Sequence, residues 1–142
     1  MPVTLQTPCL CDTLRKATRM VTRVYDEALR PAGIRVTQFS VLAHLQKNGE
    51  VRVRDLGAGL MIEETTLTRS LRPLEQQGWV KLRPGDDRRE KLVSITPSGR
   101  ELMKKAAPLW LDAQKQMNER LSATTWDAMF RALPKVAEAA AN

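Results

Sequence analysis

A single change of hydrophobic period near the middle of the chain constrains its fold more than any other feature. Up to Gln76, and again after Thr96, apolar residues recur at helical spacing. Between these stretches WVKL and KLVSIT read as β-type runs separated by RPGDDRRE. Pro84-Gly85 followed by Asp86-Asp87 is turn chemistry, so the runs form a hairpin whose loop is too long for a tight two-residue turn. The chain is therefore predicted to be mostly α with one small β-hairpin.

The helices can be bounded from their stop and start signals. Leu10, Leu14, Val21 and Ala28 share a face, with Val24 and Tyr25 beside them. They predict a helix from about Asp12 to Arg30, ended by Pro31 and Gly33. TQFSVLAHLQ follows, with Thr37 as its expected N-cap, Phe39, Leu42 and Leu45 as its core face, and Asn48-Gly49 as its stop. VRV at Val51–Val53 is long enough only to edge a small sheet. RDLGAGL is a short, weak helix, because Gly57 and Gly59 each cost about 1 kcal/mol against Ala; close packing is the expected reason for them. The next helix runs from about Glu64 to Gln76, stopped by Gly78, with a bend expected at Pro73. After the hairpin, Thr96-Pro97 opens a long helix toward Leu121, roughly 35 Å at 1.5 Å per residue, with a kink expected at Pro108. Ser122 caps a last helix in which Trp126, Met129, Phe130, Leu133 and Val136 recur at helical spacing.

Length and charge narrow the class. One hundred and forty-two residues make one ordinary domain. Two cysteines exclude a disulfide-built scaffold, and no apolar run approaches the roughly 18 residues of a membrane span. MPVTLQTPCLCDTLRK lacks a basic region followed by an apolar core, so the expectation is a soluble cytoplasmic protein. The formal charge is +7. All of that excess lies before Ala106; the remainder carries 4 basic and 4 acidic residues. A basic front and a neutral tail fit a polyanion-binding face joined to an assembly element.

The order helix, short helix, turn, helix, hairpin is that of a winged helix-turn-helix. On ETTLTRSLRPLEQQ, Leu67, Leu71 and Leu74 share one face at 100° per residue. Thr65, Arg69, Arg72 and Gln76 fall opposite, flanked by Thr66 and Thr68. Hydroxyls and guanidiniums suit a major groove: arginine pairs with guanine O6 and N7, and threonine meets a thymine methyl or a phosphate. A solvated polar face is the plainer explanation for such a helix taken alone. The hairpin tip adds Arg83, Arg88, Arg89 and Lys91 around Asp86, Asp87 and Glu90. A basic β-tip can enter a minor groove while the helix fills the major one. Asp87 and Arg89 lie two apart, so an ion pair between them would fix the direction of that arginine.

These segments resemble the multiple antibiotic resistance regulator (MarR) family, most specifically in TLTRSLRPLEQQGWV and DDRREKLVSITPSG. The resemblance covers nearly the whole chain. It implies a homodimer with a winged-helix lobe on each side (36–96) and a base of interlocked terminal helices (12–35 and 97–142). Each recognition helix would enter a major groove, and each wing arginine a minor groove, of an inverted-repeat operator. Arg89 matches the wing arginine and Asp87 its partner; Thr68 and Arg69 match recognition-helix positions. Glu63 and Glu64 depart from the pattern, where the family often has a small capping residue and a basic or polar one. Acids suit a helix N-terminus but repel phosphates.

Control is less legible. The resemblance implies release from DNA by a small aromatic acid, a metal or an oxidant. Tyr25, Phe39 and Trp110 are candidate borders of a ligand cavity between base and lobe, with core packing as the alternative. Cys9 and Cys11 lie near the start of the first helix beside Arg15 and Lys16. They are open to three readings: inert thiols, an oxidant sensor that bridges subunits, or zinc ligands paired across a dimer. His44 is the only histidine and is expected to be structural, and with no evident partner it makes acid–base catalysis improbable. No resident cofactor is indicated. The rival to a DNA-binding regulator is a winged-helix adaptor whose basic stripe meets an acidic protein.

Overall fold

A computed structural model describes all residues 1–142. Six α-helices surround a three-stranded antiparallel sheet: α1 (Leu10–Leu29), α2 (Val36–Asn48), β1 (Val51–Arg52), α3 (Val53–Leu60), α4 (Glu64–Gln76), β2 (Val80–Pro84), β3 (Lys91–Ile95), α5 (Pro97–Arg120) and α6 (Ala123–Ala141). A single 3-10 turn, Arg30–Ala32, follows α1, and Gly33 closes it at φ +71°.

Three helix starts show how local chemistry sets the boundaries. α1 begins earlier than the apolar pattern suggests, because the Cys9 sulfur accepts the Asp12 N–H at 3.4 Å and caps the first turn. Thr37 is not the cap of α2. That helix starts at Val36 with Arg35 in the cap position. Its first orphan N–H groups are taken by side chains that periodicity does not reveal: Gln38 Oε1 accepts from the Arg35 N–H at 3.0 Å, and Asp26 Oδ1, on α1, accepts from the Val36 N–H at 2.8 Å. Thr96 caps α5 as expected, its hydroxyl accepting from the Gly99 N–H at 3.0 Å and donating to the Gly78 carbonyl at 2.6 Å.

Pro73, Pro108 and Pro134 all lie inside helices that run on as single elements. Each proline strips a donor from the carbonyl four residues earlier. Those residues, Arg69, Lys104 and Phe130, are exposed, so water is at hand for the orphaned carbonyls.

The sheet has the order β1-β3-β2. Val51 pairs with Val93, which pairs with Leu82; one step along, Arg52 pairs with Leu92, which pairs with Arg83. One face is thus apolar and packs on the lobe, and the other is charged. A core of 17 residues joins Leu42 and Leu45 of α2, Leu56 of α3, Leu67, Leu71 and Leu74 of α4, and Val93 of β3. It does not stop at the lobe boundaries: Leu29, Ala32, Ile34, Met103 and Ala106 belong to it.

The glycines of α3 are there for close packing. A Cβ on Gly57 would stand 2.7 Å from the Ile62 carbonyl oxygen, and one on Gly59 would stand 2.6 Å from Cε1 of His44. His44 is half-buried and covers this helix. The terminal helices contrast with the lobe. α6 buries no residue, α1 buries only Leu29, and Leu10, Met20, Leu111, Phe130 and Leu133 are exposed.

Candidate nucleic-acid interface

α4 is anchored by Leu67, Leu71 and Leu74, each at most 1% exposed. That anchoring forces Thr65, Thr66, Arg69, Arg72 and Gln76 outward, and all five are exposed. Thr68 is half-buried, and its hydroxyl donates to the Glu64 carbonyl at 2.9 Å. Its methyl and remaining lone pairs are what it can offer a ligand. Glu63 occupies the N-cap position without a side-chain hydrogen bond, and Glu64 opens the helix, exposed. Both acids therefore act on the amino end of α4 through charge, not as caps.

In the wing, the Gly85 N–H donates to the Glu90 carbonyl at 2.8 Å and the Glu90 N–H to the Asp87 carbonyl at 2.9 Å, closing the loop. The expected Asp87–Arg89 ion pair does not form. Asp87 Oδ1 instead accepts from the backbone N–H of Arg89 at 3.1 Å. An aspartate reaches the amide two residues on without ordering a long side chain, so the local bond wins. Arg88, Arg89 and Lys91 are exposed.

The two elements converge. Thr68 and Arg72 of α4 share a cleft of about 350 Å³ with Arg83, Arg88, Glu90 and Lys91 of the wing. Thr65, Thr68, Arg69 and Arg72 share a second, shallow surface on α4 with Glu64. Thr66 and Arg89 lie outside both. Arg69, Arg72, Arg88, Arg89 and Lys91 have no ion-pair partner within the chain, whereas Arg83 is paired to Glu50, and Arg52 to Asp55 and Glu90. Arg83 thus leaves the set of free tip cations. Glu50 and Arg52, which hold these pairs, were not singled out from the sequence. Their signal was the alternation in Glu50-Val51-Arg52, a charged face opposite an apolar one.

Three of the remaining candidates meet on adjacent turns of α5, at Trp110 and Gln114. Phe39 is buried and stacks on Trp110, ring centroids 5.7 Å apart and 11° from parallel, so the two fill each other's space. The Tyr25 phenol donates to the Gln114 side-chain carbonyl and ties α1 to α5; burial pushes its pKa up. Cys9 and Cys11 are both exposed and unpaired. No three His, Cys, Asp or Glu side chains cluster within the chain, so zinc would need ligands from two subunits. No helix is long and apolar enough to cross a membrane.

A helix-turn-helix (α3 and α4) followed by a basic two-stranded wing defines the winged helix-turn-helix class. A MarR family model matches residues 32–90. The organic hydroperoxide resistance transcriptional regulator of Bacillus subtilis is 32% identical over 116 residues, 79% of each chain. The HTH-type transcriptional regulator YwoH of the same organism is 36% identical over 87 residues, 61% of this chain, and the match spans 64% of YwoH, a little under two thirds of its length. The crystal structure of the M. tuberculosis transcriptional regulator MosR in complex with DNA superposes with a TM-score of 0.87 at 35% identity, covering 94% of this chain and 96% of that one. The chain belongs to the MarR family. It is a DNA-binding transcription regulator and not an enzyme, and the adaptor reading falls.

Proposed function

We propose that the protein is a homodimeric repressor that binds an inverted-repeat operator, one half-site per lobe. The observation that carries this is a run of cations without partners across a firmly anchored α4 and its wing: Arg72, Arg88 and Lys91 border one cleft, Arg69 lies beside Arg72 on α4, and Arg89 stands exposed in the wing loop. Arg69 and the flanking Thr65, Thr66 and Thr68 read the major groove. Arg89 enters the minor groove, with Asp87 shaping its backbone. Arg72, Arg88 and Lys91 bind the phosphates that pass between helix and wing. The exposed faces of α1, α5 and α6 form the base, with residues 36–96 as the lobe. Two lobes about one helical turn apart, near 34–36 Å, suit one face of a duplex. Repression is favoured by a relative named as a transcriptional repressor, MprA of Escherichia coli, 30% identical over 107 residues.

For release, an oxidant acting on Cys9 and Cys11 is favoured by their exposure at the start of α1, a base helix, and by a relative named for organic hydroperoxide resistance. A small aromatic acid between base and lobe would have to part Phe39 from Trp110. The test of the main reading is selection of bound sequences from random duplexes followed by a salt titration. A two-fold symmetric site with a steep loss of affinity in salt is expected. Binding that ignores sequence at every salt concentration would reject it.

A further inference from the structure

We propose that Glu50, acting through Arg83, is a positioning residue that holds the wing at its angle to α4, so that both residues set operator affinity without touching DNA. The proposal rests on the operator-binding reading above.

Arg83 Nε donates to Glu50 Oε2 at 2.9 Å and Nη2 to Glu50 Oε1 at 2.5 Å, a two-pronged fork. Arg83 is on β2 and Glu50 immediately precedes β1. The sheet order puts those strands on opposite edges with β3 between them. The fork therefore spans two strand spacings, about 9.5 Å, over the face that carries Leu92. Arg52 supplies a second tie on the same face: Nε donates to Asp55 Oδ2 of α3 at 2.7 Å and Nη1 to Glu90 Oε1, at the root of β3, at 3.1 Å.

The wing needs such ties. Only two residue pairs join β3 to β1, against five between β2 and β3. Val80, Val93 and Ile95 bury the base of the hairpin in the core, but none of residues 83–91 is buried, so this outer half can swing, and every degree of swing moves Arg89 relative to Arg69. Isolated surface ion pairs do little, but fork geometry and linked pairs are the exceptions. The Arg83 hydrogen bonds hold the Glu50 carboxyl below the usual carboxylate range, so the fork stays charged at neutral pH.

Arg83 also borders the cleft with Arg72, Arg88 and Lys91. A rival role follows from that place: a phosphate ligand that leaves Glu50 when DNA arrives. The two roles give opposite results for Glu50→Ala, since a strut is weakened by it and a phosphate ligand is set free.

The experiment uses full-length protein with Glu50→Ala, Arg83→Ala, the double change, and the exchanged pair Glu50→Arg with Arg83→Glu. Amide hydrogen exchange is followed at Gly85 and Glu90, whose N–H groups are bonded inside the wing. Binding is measured across salt concentrations to the duplex that the parent selects from a random pool. Each single change should speed exchange and weaken binding by about threefold to fivefold. The double change should be no weaker than either, the salt slope should stay constant, and the exchanged pair should recover affinity. Unchanged exchange in Glu50→Ala overturns the strut. So does tighter binding by Glu50→Ala together with a salt slope lowered by about one in Arg83→Ala. If the parent binds no duplex, the operator reading fails while the exchange rates still decide whether Glu50 holds the wing.

Discussion

The Asp87 carboxylate accepts the backbone N–H of Arg89 at 3.1 Å and makes no contact with the guanidinium. The aspartate therefore shapes the wing's backbone and leaves the arginine free to reach outward. Arg89→Ala should weaken operator binding with fold and dimer intact. Asp87→Ala should give a milder loss, and Asp87→Asn, which keeps the acceptor oxygen, should bind nearly as the parent does. Anisotropy titrations check this. An Asn variant as damaged as the Ala variant would mean that the charge of Asp87 matters, not its acceptor.

Arg69 stands exposed on α4, without an ion-pair partner. If it pairs with a guanine edge, Arg69→Ala should cost about 1–3 kcal/mol at the preferred site and relax specificity there. Equal weakening on all duplexes would reassign it to a phosphate. Affinity unchanged on every duplex would remove it from the interface.

The apolar side of α6 has no cover within one chain: Phe130 is 60% exposed and Leu133 45%. Phe130→Asp with Leu133→Asp should convert the dimer to a monomer in sedimentation. A piece spanning Val36–Met103 should be unfolded, because Leu29, Ala32, Ile34 and Ala106 leave the lobe's core with the base. A parent chain that sediments as a monomer at micromolar concentration would refute the assembly.

Gly57 and Gly59 should differ in what they tolerate. Gly57→Ala drives a Cβ against the Ile62 backbone, which cannot move aside. Overpacking of about 1–3 kcal/mol should exceed the roughly 1 kcal/mol gained in helix propensity, and thermal unfolding should occur earlier. Gly59→Ala meets only the His44 ring, which can rotate, and should be closer to neutral. Equal effects at both positions would contradict this distinction.

Peroxide or a disulfide reagent should weaken operator binding, a reductant should restore it, and a reducible dimer should appear on a denaturing gel. Cys9→Ser with Cys11→Ser should abolish the response. Release of DNA by the double variant on oxidant treatment would reject the thiol switch. No response in the parent would turn the search to phenolic acids.

Much of this protein was legible as periodicity. The α4 stripe, the hairpin and the terminal helices follow from spacings of 3.6 and 2, because burial of one face is a local property of sequence. So was the exposed side of α4, since fixing Leu67, Leu71 and Leu74 inward fixes Arg69 and Arg72 outward. Only the tertiary structure decided the long-range polar contacts. Asp26 caps α2 from α1, and Glu50 reaches Arg83 across 33 residues of chain. A charged side chain has several partners within reach along the sequence. Which one it takes depends on where the folded backbone presents an unsatisfied donor, and no spacing rule carries that information.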